Sequence, residues 1–420
     1  MQHRIIVIGA GYAGAIAAGR LSRRLRQDVA ITLVNAEPDF VERVRMHQLA
    51  VGQELKARPF SEMFAGTGVR LRVAKVTGVD VDRRTVTISD LYGAEPAAHP
   101  AEDPAYNAEE LTYDTLVYAL GSTWTTHGVP GVAEHAHDIA GRPGALRLRE
   151  RLAALGPGEP VVVVGGGLTG LEAATEIAEA RPDLDVTLAA RGGLGDWLSP
   201  KGGRHLRKVF DRLGVTVREH TAVTAVEADR VTTADSAIPS AATVWTTGFA
   251  VHPIVRATAL EADDAGRIVV DGSMRALSHP DVYAIGDAAL VMGPGDKPLR
   301  MACATGGPTA WQAAGAIAAR LTGSKPMNTP LRYYNQCISL GRKEGLIQYV
   351  TADDRARPAA LTGRTAALYK ELVCKGAAWA VANPTLGIPT KRRRVLPLQE
   401  SGGDAQQRRH ADRGTMPTAR

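Results

Sequence analysis

The sequence predicts an α/β protein with two parallel-sheet units of the dinucleotide-binding (Rossmann-like) kind and a smaller C-terminal α+β segment. Two observations carry that prediction. An apolar strand, a turn of spaced glycines and an alanine-rich helix follow one another twice, once around Gly9 and again around Gly165, 156 positions apart. Two further apolar segments, residues 113–122 and 243–248, lie where a chain would return to the sheet it left. Strands that are apolar on both faces are expected where helices cover both sides of a parallel sheet.

The first unit runs through a strand at residues 5–8, the turn Gly9-Ala10-Gly11-Tyr12-Ala13-Gly14, a helix to about residue 26 and a strand at 31–35. The second runs through 161–164, Gly165-Gly166-Gly167-Leu168-Thr169-Gly170, a helix to about residue 180 and a strand at 186–190. One such glycine set is a weak signal, because glycine-rich loops are common. Placed between strand and helix, the first glycine permits the tight turn and the second lets the backbone approach a pyrophosphate. The third lets helix and strand pack closely. Amides at the helix N-terminus then face the phosphates, aided by the helix dipole. Two copies imply two dinucleotides. Residues 69–89 alternate and read as a β-meander, 92–110 as an exposed loop, and 399–420 as a disordered tail. The resulting boundaries are 1–122 and 253–322 for a split first domain, 123–252 for the second, and 323–398 for the C-terminal segment.

Composition excludes several classes. With 45% apolar and 22% charged residues the chain is an ordinary globular protein. Its net charge of +6 is concentrated in Lys391-Arg392-Arg393-Arg394 and the last dozen residues, with no interleaved aromatic–basic motif, so nucleic-acid binding is not indicated. Cys303, Cys337 and Cys374 show no C-x-x-C spacing, which argues against a zinc site or a disulfide framework. No run approaches the ~18 apolar residues of a membrane span, and residues 4–9 enter a strand directly, so a cytoplasmic protein is expected.

With these motifs the chain resembles the pyridine nucleotide-dependent FAD oxidoreductase superfamily, and within it the type II NADH dehydrogenase-like branch. The resemblance covers roughly residues 4–390. It rests on both glycine sets, on Ala119-Leu120-Gly121 and Thr246-Thr247-Gly248, and on Val282-Tyr283-Ala284-Ile285-Gly286-Asp287. It implies FAD on Gly9, Gly11 and Gly14, with Gly121 and Gly286 beside it and Asp287 accepting a hydrogen bond from the ribityl chain. It implies NADPH or NADH on Gly165, Gly167, Gly170 and Gly248. Asn35 stands where the family has an acid on the adenine ribose; an amide still accepts one hydrogen bond. In the second unit Ala190 occupies the matching place and Arg191 follows. Loss of a carboxylate and gain of a guanidinium favour a 2′-phosphate, hence NADPH over NADH, although a solvated arginine is the plainer reading. Glu172 matches a glutamate that the family sets between nicotinamide and flavin; a first-turn glutamate that simply complements the helix dipole is the plainer alternative.

Hydride transfer needs stacking and orientation more than acid–base groups, because the cofactor carries the reactivity. Disulfide-reductase relatives place a cysteine pair in the segment that is residues 40–49 here, and this chain has none. That points to direct delivery to a small acceptor such as a quinone. Arg45, His47 and Gln48 would then lie near the flavin or its phosphates, with a structural hydrogen bond the alternative for His47. The segment around Thr305 would begin a helix facing the flavin. Gln312 matches a glutamine of the family's quinone site, but Gly307-Pro308 stands where an Ala-Gln pair is usual. Two other readings stay open: a tailoring flavoenzyme with a dedicated metabolite, and a nicotinamide-sensing flavoprotein that acts through a partner. Residues 366–379 form a candidate amphipathic helix whose apolar face is alanine-rich, suited to docking within the protein or onto a second subunit, with weak membrane-surface contact as the alternative.

Overall fold

The computed structural model describes residues 2–25, 28–90, 108–326, 331–386 and 395–396. Its first sheet begins with β1 (His3–Ile8), the helix α1 (Tyr12–Arg24) and β2 (Val29–Asn35). It continues through β3 (Val69–Asp80), β4 (Thr85–Asp90), β5 (Ala108–Thr112) and β6 (Thr115–Tyr118). β1 pairs in parallel with β2 and with β6, and Ile5, Val7 and Ile8 are wholly buried. The expected meander is an extension of this sheet. β3 pairs in parallel with β2 over Val69–Val73 and then antiparallel with β4 from Ala74 onward. Its 12 residues are long enough to do both. Ala108 to Glu110, assigned above to an exposed loop, belong to β5; the rest of that loop and residues 399–420 lie outside the described residues.

The second sheet is inserted into the first. It contains β7 (Ala136–Asp138), β8 (Pro160–Val164), the helix α2 (Leu168–Ala180), β9 (Asp185–Ala189), β10 (Thr216–Arg218) and β11 (Ala242–Trp245). Its strand order is β10-β9-β8-β11-β7, every pair parallel. The chain then returns through β12 (Val282–Ala284), which closes the first sheet beside β6 and gives it seven strands. The helix α3 (Cys303–Thr322) packs along α1, both faces built largely of alanine, which lets two helices approach closely.

Three antiparallel strands, β13 (Asn335–Ser339), β14 (Gly345–Val350) and β15 (Ala356–Thr362), carry the helix α4 (Arg364–Ala382). Ala366, Lys370, Cys374, Ala378 and Val381 form the buried stripe of α4, while Leu368, Tyr369, Leu372, Val373 and Trp379 are exposed. The alanine-rich face therefore does dock inward, as the sequence suggests. The larger apolar side chains form a second face on the outside, which the composition of the segment does not reveal.

Candidate functional site

The two glycine turns are built alike. Gly9 (φ +90°) and Gly165 (φ +125°) adopt a backbone that side chains rarely allow. A Cβ on Gly14 would collide with the carbonyl of Gly9, and one on Gly170 with that of Gly165. Nothing lies within 4 Å of the Cβ positions of Gly11 and Gly167, the N-caps of α1 and α2, and neither helix start has a side-chain cap. Each helix thus presents uncapped amides to open space beside the glycine where a backbone must approach a ligand. That arrangement suits a pyrophosphate. Asn35 braces the first turn: its Oδ1 accepts from the amide of Ala10 at 2.8 Å, and its Nδ2 donates to the carbonyl of Glu37.

Around β12 the residues fit the remainder of FAD. Asp287 follows Gly286 (φ +65°), whose amide donates to Thr309 Oγ1. Ser122 Oγ donates to Asp287 Oδ2 at 2.5 Å, and Arg43 Nη1 lies 3.9 Å from the same oxygen. Arg43 also donates to the carbonyl of Ala140, stacks over Phe249 and sits against Gly121 (φ +70°). Thr305, in the first turn of α3, lines a cleft with Asp287, Arg300 and Met301, and its hydroxyl donates to the carbonyl of Ala302. Arg43 and Ser122 were not singled out in the sequence. Arg43 and Arg45 alternate through one 3-10 turn (Arg43–Arg45), and only packing decides which of them faces Asp287.

The structure brings His47, Glu172 and Lys370 together from three parts of the chain. Lys370 on α4 is buried and paired with Glu172 Oε1, which also accepts from the amide of Ser339 at 3.0 Å. His47 Nδ1 lies 4.0 Å from Glu172 Oε2, too far for a hydrogen bond, and its Nε2 has no partner. Burial holds His47 well below the usual imidazole value, with Lys370, Arg342 and Arg45 adding to the shift, so the ring is neutral at pH 7. Burial also lowers Lys370 to about 8, with Arg45 adding to the shift and Cys374 opposing it. Lys370 was missed in the sequence. Its signal was there: a lone cation on the same helical stripe as Ala366, Cys374 and Ala378 needs a buried partner.

Other candidates lie elsewhere. Arg45 is buried and bonded to Glu42, Gln48 and Glu371. Gln312 Nε2 donates to the carbonyl of Gly272 at 3.1 Å. Arg191 is exposed and makes no ion pair among the described residues, next to the buried Ala190. Gly248 (φ +152°) packs against the ring of His127. Burial pushes the thiol of Cys337 up to about 12, so it stays protonated and poorly nucleophilic. No cluster of metal-ligating side chains occurs among the described residues.

Two dinucleotide turns, a split sheet and a buried charged cluster at His47, Glu172 and Lys370 define a two-nucleotide oxidoreductase architecture. The family model described as pyridine nucleotide-disulphide oxidoreductase matches residues 3–318. The chain belongs to that family, in its NADH dehydrogenase-like branch. It is 30% identical over 337 residues to an NADH dehydrogenase-like protein of Mycobacterium tuberculosis, covering 73% of this chain and 77% of the relative. It is 27% identical over 303 residues to a demethylphylloquinone reductase of Synechocystis, covering 68% and 72%. A solved structure of NDH2 from Plasmodium falciparum in complex with NADH superposes with a TM-score of 0.74 at 14% identity, over 92% of this chain and 97% of that one.

Proposed function

We propose that the protein is an FAD-dependent NAD(P)H oxidoreductase that passes electrons directly to a small conjugated acceptor of the quinone type, without a redox disulfide. The observation that carries this reading is the matched pair of turns, each with its middle glycine open and its helix uncapped. Bound FAD would supply the chemistry, accepting hydride from nicotinamide and returning two electrons to the acceptor. Gly9, Gly11 and Gly14 shape the FAD pyrophosphate site, and Gly165, Gly167 and Gly170 that of the nicotinamide nucleotide. Asp287, steadied by Ser122 and Arg43, accepts from the ribityl chain. Gly121, Gly248 and Gly286 make the turns that let the backbone pass the ligands. Asn35 holds the first turn in shape, and Thr305 fixes the start of α3, whose N-terminal amides face developing negative charge.

Glu172, locked by Ser339 and Lys370, and neutral His47 are the polar groups that would meet the acceptor. Arg45 tethers α4 through Glu371, and Gln312 anchors α3 to the loop at Gly272. The relatives' names mention NADH and a quinone, which supports the acceptor class. For the donor, Ala190-Arg191 favours NADPH, because an unpaired guanidinium can grip a 2′-phosphate that a carboxylate would repel. The outward face of α4 suits a membrane surface, where a quinone would be found, or a second subunit.

Anaerobic rapid mixing tests the whole reading. The flavin band should bleach with NADPH faster than with NADH and return on adding a quinone. Arg191→Ala should raise the KM for NADPH about tenfold, in line with one lost charge-assisted pair, and leave that for NADH unchanged. Purified protein without flavin absorbance would refute the proposal. Bleaching without reoxidation by any quinone would favour a dedicated metabolite, a reading that Pro308 inside α3 already supports by altering the helix that carries Gln312.

A further inference from the structure

Glu172, Glu176 and Glu179 occupy positions i, i+4 and i+7 of α2. They share one helix face and step about 6 Å and then about 4.5 Å along its axis. Glu172 and Glu176 are buried, whereas Glu179 is partly exposed. Residues 47–53 cover this face on one side and residues 339–342 on the other. Gln53 Nε2 donates to Glu176 Oε1, and the amide of Arg342 donates to Glu179 Oε2. Two buried polar atoms in this seam lack partners: Oε2 of Glu176 and Nε2 of His47. Unpaired buried atoms are costly and rare, so a pair of them between a charged cluster and the surface calls for an explanation.

Proton balance supplies one. Reduction of a quinone by a reduced nicotinamide follows NAD(P)H + H⁺ + quinone → NAD(P)⁺ + quinol. The hydride brings two electrons and one proton, so one further proton must enter from solvent in each turnover. We propose that this face of α2 delivers it: Glu179 exchanges with solvent at the rim, Glu176 relays inward, and His47 and Glu172 present the proton to the acceptor. The inference rests on the quinone-type reading above.

The electrostatics agree with the geometry. Burial raises Glu176 to about 7, with Arg342 and the Gln53 hydrogen bond opposing the rise and Glu179 adding to it. A carboxyl half-protonated near neutral pH can both take and give a proton. From the packed elements, Arg342, Gln53 and Glu179 face Glu176, while burial, with Lys370, Arg342 and Arg45 adding to it, keeps His47 neutral.

The test separates proton-requiring from proton-free steps. Glu176→Gln should slow reoxidation by a quinone about tenfold or more, as loss of a proton-transfer group predicts. Bleaching by NADPH and reoxidation by ferricyanide, a one-electron acceptor that takes up no proton, should stay within about twofold of the unsubstituted protein, below what such a loss costs. Glu176→Asp should restore part of the quinone rate. The pH dependence of quinone reoxidation should lose its inflection near neutrality in Glu176→Gln. An infrared pH titration of the protein should show a protonated-carboxyl band titrating near neutral pH that vanishes in Glu176→Gln. Equal slowing with ferricyanide and quinone, or an unchanged quinone rate, would overturn the relay. If the unsubstituted protein is not reoxidised by quinones, it is the acceptor reading that fails. The infrared band then decides alone, and its persistence in Glu176→Gln would overturn the relay.

Discussion

Glu176 links protonation to stability in a direction that can be worked out. Its carboxyl titrates near 7 in the folded chain and near 4.5 when solvated, so between those values the folded state binds more protons than the unfolded state. Its contribution is fully present below pH 4.5 and is lost as pH rises through about 7. Glutamine does not titrate. Urea unfolding should therefore show Glu176→Gln gaining up to about 3 kcal/mol over the unsubstituted protein at pH 8, with the gap closing at low pH. Parallel stability curves would contradict the buried, raised carboxyl. At this scale the sequence was legible where spacing defines the chemistry. The glycine sets fall at the strand-to-helix turns that their order predicts, whereas Asp287 was placed only by the family resemblance. It was silent where two like residues compete: Arg43 reaches Asp287 while Arg45 turns to Glu42 and Glu371, a choice made by the 3-10 turn and by a helix some 320 residues further on.

At the scale of elements, α4 shows why periodicity finds a helix but not its orientation. Two apolar faces compete for the interior, and the smaller one wins because β14 lies close beneath it. A Cβ on Gly345 would stand 2.7 Å from the amide of Ala367 and 2.9 Å from the carbonyl carbon of Ala366. Gly345→Ala should therefore push α4 away from the sheet and cost about 1–3 kcal/mol, read as a lower Tm. It should also loosen Lys370 from Glu172. A Tm within a degree of the parent would mean that strand and helix leave room for a methyl group. The outer face makes its own prediction. Anionic vesicles should sediment with the intact protein and not with a Leu372→Glu, Trp379→Glu variant whose flavin bleaching is normal. Retained sedimentation would assign that face to a second subunit or to none.

For the molecule as a whole, FAD should act as a structural ligand as well as a cofactor, because its sites draw on β1, β6 and β12 together. Added FAD should raise the Tm of flavin-free protein in proportion to the logarithm of its concentration, and Asp287→Ala should shrink that rise. An equal rise in both would remove Asp287 from the site. The two-sheet layout was legible from strand, glycine and helix order. The junction of His47, Glu172 and Lys370 was not, because it depends on how the C-terminal strands pack against the second unit. The nesting of one sheet inside the other also fixes an order of birth. The inserted sheet is complete once Trp245 has been made, but the outer sheet lacks an edge until Val282–Ala284 emerge. On the ribosome the inner unit can close while its host is still waiting. Chains stalled once residue 245 has left the ribosome, with Val282–Ala284 still inside it, should hold a protease-resistant core around α2, with β1 and α1 still open to cleavage.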